Sequence, residues 1–286
     1  MSHSRQIAVT AIGVVAAVAV LVTMLRAGRT RSRPMADTVA NHTEVSRGEV
    51  ATADTTTVRD PAALEQLETM GAYLRSLKAF QLKADVVTED VRTDGQKVQI
   101  IRNVDLVAKR PNRLYADIQN DRRRRLFFYD GKNFTLFAPR STYYATVPAP
   151  ASIEQLADVL EDKYDIELPL VDLFRWGTPE GNTSAITSAV DLGPSAINGM
   201  TCEQYAYRQE GIDWQLWVQR GDQPLPCRIV ITTLTDDARP QDTTTYSWNL
   251  APSYDDNTFV FRTPSWAKRI PIVEVPVIAA SSNAGR

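Results

Sequence analysis

Apolar and polar residues alternate along most of this chain, and a period of two over short runs admits little besides strands. Leu82, Ala84 and Val86 alternate with Lys83 and Asp85, and Val98, Ile100, Val104 and Leu106 with Gln99, Asn103 and Asp105. Leu114, Ala116 and Ile118 repeat the pattern after Pro111. Asp94-Gly95 and Asp130-Gly131-Lys132-Asn133 supply tight turns, the second between Leu126–Tyr129 and Phe134–Phe137. Tyr143–Val147, Ala185–Leu192, Thr201–Gln209, Trp214–Arg220, Arg228–Leu234, Thr243–Asn249 and Phe259–Phe261 continue the series. The reading gives about eleven strands in an antiparallel meander with one apolar face, which needs a cover. A sheet this long must curl to stay packed.

One stretch breaks the alternation, from Ala149 to Gly177. Ile153, Leu156, Ala157, Leu160 and Tyr164 form a single helical stripe. Pro150 stops any helix arriving from upstream, and Ser152 with Gln155 reads as a capping box. Leu168, Leu170, Val171, Leu173, Phe174 and Trp176 follow, six apolar residues in nine. That is more apolar surface than a helix with one buried edge can use, so the segment covers something on more than one side. Two covers are compatible with it: an ordinary helix pair completing a core, or a lid over an apolar cavity.

Upstream, Asp60-Pro61 is an N-cap followed by proline at the first helical position. Leu64, Leu67, Met70, Leu74 and Leu77 predict a helix over 61–79 with one buried face. Residues 27–59 have too few large apolar groups to order themselves and read as a tether. Residues 7–25 form an uncharged run just long enough to span a bilayer, and 1–26 are read as a membrane anchor or a signal sequence. Arg26, Arg29, Arg31 and Arg33 follow the run while only Arg5 precedes it, which by itself favours a cytoplasmic body. Residues 276–286 read as a disordered tail, leaving a folded body over 60–275.

Charge and composition exclude several functions. Residues 60–286 carry 25 Lys and Arg against 30 Asp and Glu, a poor surface for nucleic acid. The only histidines, His3 and His42, precede the body, which removes imidazole bases and His-based zinc sites. No glycine-rich phosphate loop occurs, and neither a cofactor nor a metal is implied. Asp236-Asp237 and Asp255-Asp256 lie in turns without the ligand count calcium requires. Arg122-Arg123-Arg124-Arg125 reads as a solvated loop or sheet edge, since at most two strand neighbours of four share a face. In a regular meander Cys202 and Cys227 would flank one strand, roughly 9.5 Å apart and unable to pair; a bulge near Pro226 would change that.

Lys109-Arg110-Pro111-Asn112, Tyr129-Asp130-Gly131-Lys132 and the closing Phe259-Val260-Phe261-Arg262-Thr263-Pro264 stand in an order that resembles the periplasmic lipoprotein carriers LolA and LolB. Within that superfamily the chain most resembles a bacterial group predicted to be periplasmic, over roughly residues 60–275. The resemblance implies an α+β fold: an unclosed, curled antiparallel β-barrel under a helical lid, with a cavity for the acyl chains of a lipid or lipoprotein. It also implies that Arg110 latches the lid by hydrogen bonds. Leu114 falls where the carriers have an aromatic at the cavity mouth. The body is accordingly placed in the periplasm, tethered to the inner membrane through 7–25 or free if that segment is cleaved. Candidate ligand-lining residues are Arg110, Leu114, Leu156, Leu160, Leu170, Leu173, Phe174, Trp176, Tyr205, Trp214 and Leu216, with Trp217, Trp248, Tyr143 and Tyr144 as further aromatic candidates. The expected function is non-enzymatic shelter of an apolar ligand; the alternative is a packed structural or sensory module that binds another envelope protein.

Overall fold

The computed structural model describes residues 58–178 and 183–274. The expected anchor, most of the tether and the C-terminal tail lie outside them. Among the described residues no helix is long and apolar enough to cross a membrane.

Helix α1 (Pro61–Ser76) opens the body, with the Asp60 carboxylate accepting from the Ala62 N–H at 2.9 Å. It ends three residues before the expected limit because the next ladder begins at once: Ala79 pairs with Lys109. Six strands follow as a meander: β1 (Ala79–Val91), β2 (Lys97–Lys109), β3 (Arg113–Gln119), β4 (Arg124–Tyr129), β5 (Asn133–Ala138) and β6 (Tyr143–Pro148). The helical stretch comes next, as α2 (Ile153–Tyr164) and the single turn α3 (Asp172–Arg175). A second meander then runs through β7 (Ser188–Ile197), β8 (Met200–Gln209), β9 (Ile212–Gln219), β10 (Pro226–Thr233) and β11 (Gln241–Asn249).

The two meanders join where β1 pairs with β11, and with a short last strand β12 (Lys268–Arg269) they give one sheet in the order β12-β6-β5-β4-β3-β2-β1-β11-β10-β9-β8-β7. The sheet is curled, antiparallel but for its last strand, and unclosed, with β12 and β7 at its two edges. Its concave face carries one continuous apolar core that includes Phe80, Leu82, Leu106, Leu114, Tyr129 and Leu216, together with side chains of α1, α2 and α3.

Three local expectations are corrected. Phe259–Phe261 is not a strand: Asp255 caps a 3-10 turn over Asp256–Phe259, and the last strand is β12 (Lys268–Arg269), parallel to β6. The arginine run is neither wholly loop nor edge. Arg122 and Arg123 lie in the turn fixed by Asn120, while Arg124 enters β4 between β3 and β5 and grips Asp117 at 2.6 Å. Cys202 and Cys227 form a disulfide at a Cα separation of 7.0 Å. Cys202 does pair with Gln219, but the ladder slips between Pro226 and Arg228, so the bulge at Cys227 draws it across the end of β9.

Candidate functional site

The stretch 149–177 lies on the concave face as a cover. Ser152 Oγ accepts from the Gln155 N–H at 3.2 Å, fixing the start of α2. Ile153, Leu156, Ala157, Leu160, Leu168, Val171, Leu173, Phe174 and Trp176 are all buried. Leu170, half-buried between the two helices, has φ 55°, a left-handed conformation that a branched side chain rarely adopts. The cover meets the sheet through side chains: Phe174 stacks on Phe80 of β1 with ring centroids 6.0 Å apart. Between Glu154 and Arg175 the described backbone hydrogen bonds of the cover are internal.

Polar fastenings sit at both ends. At the start, the Ile153 N–H reaches the Pro111 carbonyl at 2.9 Å, and the Tyr129 hydroxyl donates to the Pro150 carbonyl at 2.6 Å. Arg110 donates to Glu154 of α2, and its guanidinium lies over the Phe174 ring, 5.3 Å from the centroid. At the far end Arg75 of α1 donates to the Trp176 carbonyl at 3.2 Å. There α1 and the cover touch backbone to backbone, since a Cβ on Gly71 would fall 2.8 Å from the Gly177 nitrogen. Within the cover Arg175 binds Glu161 at 2.7 Å and Asp158 at 3.3 Å.

The closed cover is incompletely satisfied. Of seven buried side-chain polar atoms without a hydrogen-bond partner among the described residues, five belong to it or to Arg110, which contacts it: Arg110 Nε and Nη2, Glu167 Oε2, Asp172 Oδ1 and Trp176 Nε1. A sixth, Asp242 Oδ1, lies near Glu167 and Arg102. Burial pushes Glu167 up to about 8, with Asp172 and Glu161 adding repulsion, and pushes Asp172 up to about 7. Burial also raises Asp242 and lowers Arg102, and the Arg102 guanidinium donates to Thr88 at 2.5 Å. This buried polar group was not anticipated. Its signal was available, because Glu167 and Asp172 interrupt an otherwise apolar run.

The candidate ligand residues divide. Arg110, Leu114, Leu156, Leu160, Leu170, Leu173, Phe174 and Trp176 all lie at or beneath the cover. Leu114 pairs with Tyr129, whose hydroxyl fastens the start of the cover. Tyr205, Trp214 and Leu216 share the concave face but lie on the α1 side: Tyr207 stacks on Trp214 at 4.2 Å and donates to the Ala63 carbonyl of α1. Trp217 is on the opposite face, with the disulfide and Arg228. Trp248 packs on Phe80 at 5.4 Å, whereas Tyr144 packs on Phe261 and Tyr143 is exposed.

Among the depressions formed by the described residues are two of about 620 Å³ and 310 Å³. Neither is lined by a residue of 151–176. The larger opens between α1 and β7–β9; the smaller lies by Phe128, Tyr144 and Phe261.

The sheet is thus unclosed and curled, and its concave face is shut by an inserted helical cover. The chain belongs to the family described as predicted periplasmic protein, DUF2092, whose model matches residues 63–273. Solved structures with a similar fold include LprF from Mycobacterium bovis, 13% identical over 74% of this chain and 100% of that one, TM-score 0.41. The lipoprotein LppX from Mycobacterium tuberculosis is 11% identical over 68% of this chain and 98% of its own, TM-score 0.35. A LolA superfamily protein from Nitrosomonas europaea is 13% identical over 70% and 97%, TM-score 0.33. No curated protein matches the chain.

Proposed function

We propose that this protein is a non-enzymatic, periplasmic binding protein that shelters acyl chains of a lipid or lipoprotein between its sheet and a cover that lifts. The observation that carries the reading is the construction of the cover. It is a continuous apolar segment held at its ends by side-chain fastenings, with buried polar atoms left unpartnered inside it. Each such atom costs about 1–3 kcal/mol in the closed state and regains a partner in water when the cover lifts. Opening also bares eight large apolar side chains, at about 1.5–3 kcal/mol each. That rivals the whole net stability of a domain, roughly 5–15 kcal/mol. Lifting is therefore sustained only when apolar matter takes the vacated place, and an acyl chain meets that requirement. A cystine and the family's periplasmic description both support an oxidising compartment outside the cytoplasm. Attachment to the inner membrane through residues 7–25 belongs to the same proposal.

A second reading has its own support. The cover's side chains mesh with the sheet, and both depressions lie elsewhere, as expected of a packed structural or sensory module that binds another envelope protein. Native mass spectrometry of the full chain, purified from membranes and then incubated with phospholipid vesicles, separates the two. Carriage predicts a lipid adduct that Leu173→Asp weakens in folded protein. A chain that neither brings lipid with it nor takes it up is the packed module.

A further inference from the structure

The larger depression lies apart from the cover and has a different chemistry. Its floor is the concave face of β7–β9, where register sets Asp191 opposite Tyr205 and Glu203 opposite Val218. Gln66 and Thr69 on the flank of α1 form one wall, and the turn from Arg220 to Pro224 the other. Three carboxylates face a single cation. Arg220 is engaged by Glu203 at 3.2 Å, Asp191 spends one oxygen on the Gly193 N–H at 2.8 Å, and Asp222 makes no hydrogen bond or ion pair among the described residues.

Between the carboxylates stands Tyr205. Only 6% of it is exposed, its ring packs against Tyr207, and it lines the groove with its hydroxyl lacking a hydrogen-bond partner among the described residues. Burial, with Asp191 and Glu203 adding their charge, pushes this phenol up to about 12, so it remains a neutral donor and acceptor. An unpartnered hydroxyl held among surplus carboxylates accepts from a donor-rich cation and repels an anion. Val218, Pro224 and the Tyr205 ring edge offer apolar surface to a short aliphatic stem.

We propose that this groove binds a small aliphatic amine in its ammonium form, seated on Asp191, Asp222 and the Tyr205 hydroxyl. A volume of about 620 Å³ accommodates a linear di- or triamine. The site is independent of the cover and of acyl binding. Isothermal titration calorimetry of the full chain with spermidine tests it, with putrescine and glutamate as companions. The expected result is saturable binding of one amine per chain that weakens with salt, and no heat from glutamate. Tyr205→Phe should weaken binding about fivefold to tenfold without moving the melting temperature, and Asp222→Asn, at an exposed turn, should do the same. Spermidine binding that neither variant alters, or no saturable binding at 1 mM amine, overturns the proposal.

Discussion

The concave face has two halves built from the same alternating strands and treated in opposite ways. On the β1–β6 side the inward positions are apolar, among them Phe80, Leu106, Leu114 and Tyr129, and the inserted helices seal them. On the β7–β9 side Tyr207, Trp214 and Leu216 are buried against α1, but Asp191, Glu203 and Tyr205 at further inward positions leave an open groove at one end. The difference shows what decides where a curled sheet needs a cover: the side chains at its inward positions, independent of the backbone pattern. The halves also differ in how they are stabilised. Burial holds both halves, since Tyr207, Trp214 and Leu216 pack with α1 in the same core, but the second half is also stitched on its outer side by the Cys202–Cys227 disulfide.

The sharpest way to break this contrast is to put the same charge in both halves. Leu173→Asp, beneath the cover, should cost about 4 kcal/mol or more, because a carboxylate is buried without a partner. Leu192→Asp, on half-exposed β7, should stay within about 0.5 kcal/mol. Urea midpoints of the two variants check this, and equal costs would dissolve the distinction between the halves. Replacing both Cys202 and Cys227 with serine should cost about 2–4 kcal/mol, with the loss of protection from amide exchange concentrated in β8–β10. At the seam between the halves, Gly71→Ala should cost about 1–3 kcal/mol, since its methyl group meets the Gly177 backbone. Proteolysis in that variant should begin within 149–177.

The smallest effect is one of pH. Glu167 and Asp172 have pKa values raised in the closed state, to about 8 and about 7. A raised carboxyl favours the closed state fully below its ordinary pKa, near 4, and loses that contribution as pH rises through the raised value. The groups facing the pair are Arg102 and Asp242 from the sheet and Glu161 and Arg175 from the cover. Cover opening, followed by exchange, should therefore become easier from about pH 5 to about pH 8, and the trend should flatten in Glu167→Gln/Asp172→Asn. A steep trend in that double variant would place the titration elsewhere.

Much of the fold was legible because alternation and turn chemistry are local. Parity of two identifies β1–β6, and Asp130-Gly131 and Ser152 mark a hairpin and a helix start where they occur. What was not legible depended on neighbours distant in sequence. The disulfide required a slip in the ladder at Cys227, which no spacing reveals. Phe259–Phe261 alternates like a strand but is claimed by a turn capped by Asp255 and by aromatic packing on Phe128 and Tyr144. At the candidate site, Arg110 and the apolar stripe could be read from the chain, whereas Tyr129, Arg75 and the Gly71–Gly177 contact only meet through folding. Trp217 was grouped with Trp214, although strand parity alone puts them on opposite faces.

Carriage requires that the cover be able to leave while the sheet remains. Native-state hydrogen exchange resolves this directly, by comparing the amides of 153–176 with those of β1 and β2 in the full chain. With a liftable cover, 153–176 exchange by a sub-global opening, well below the free energy of the β1–β2 amides, and phospholipid vesicles shift that opening while leaving the strands unchanged. Exchange of cover and strands at one common free energy, unmoved by lipid, would show a single packed unit and contradict carriage.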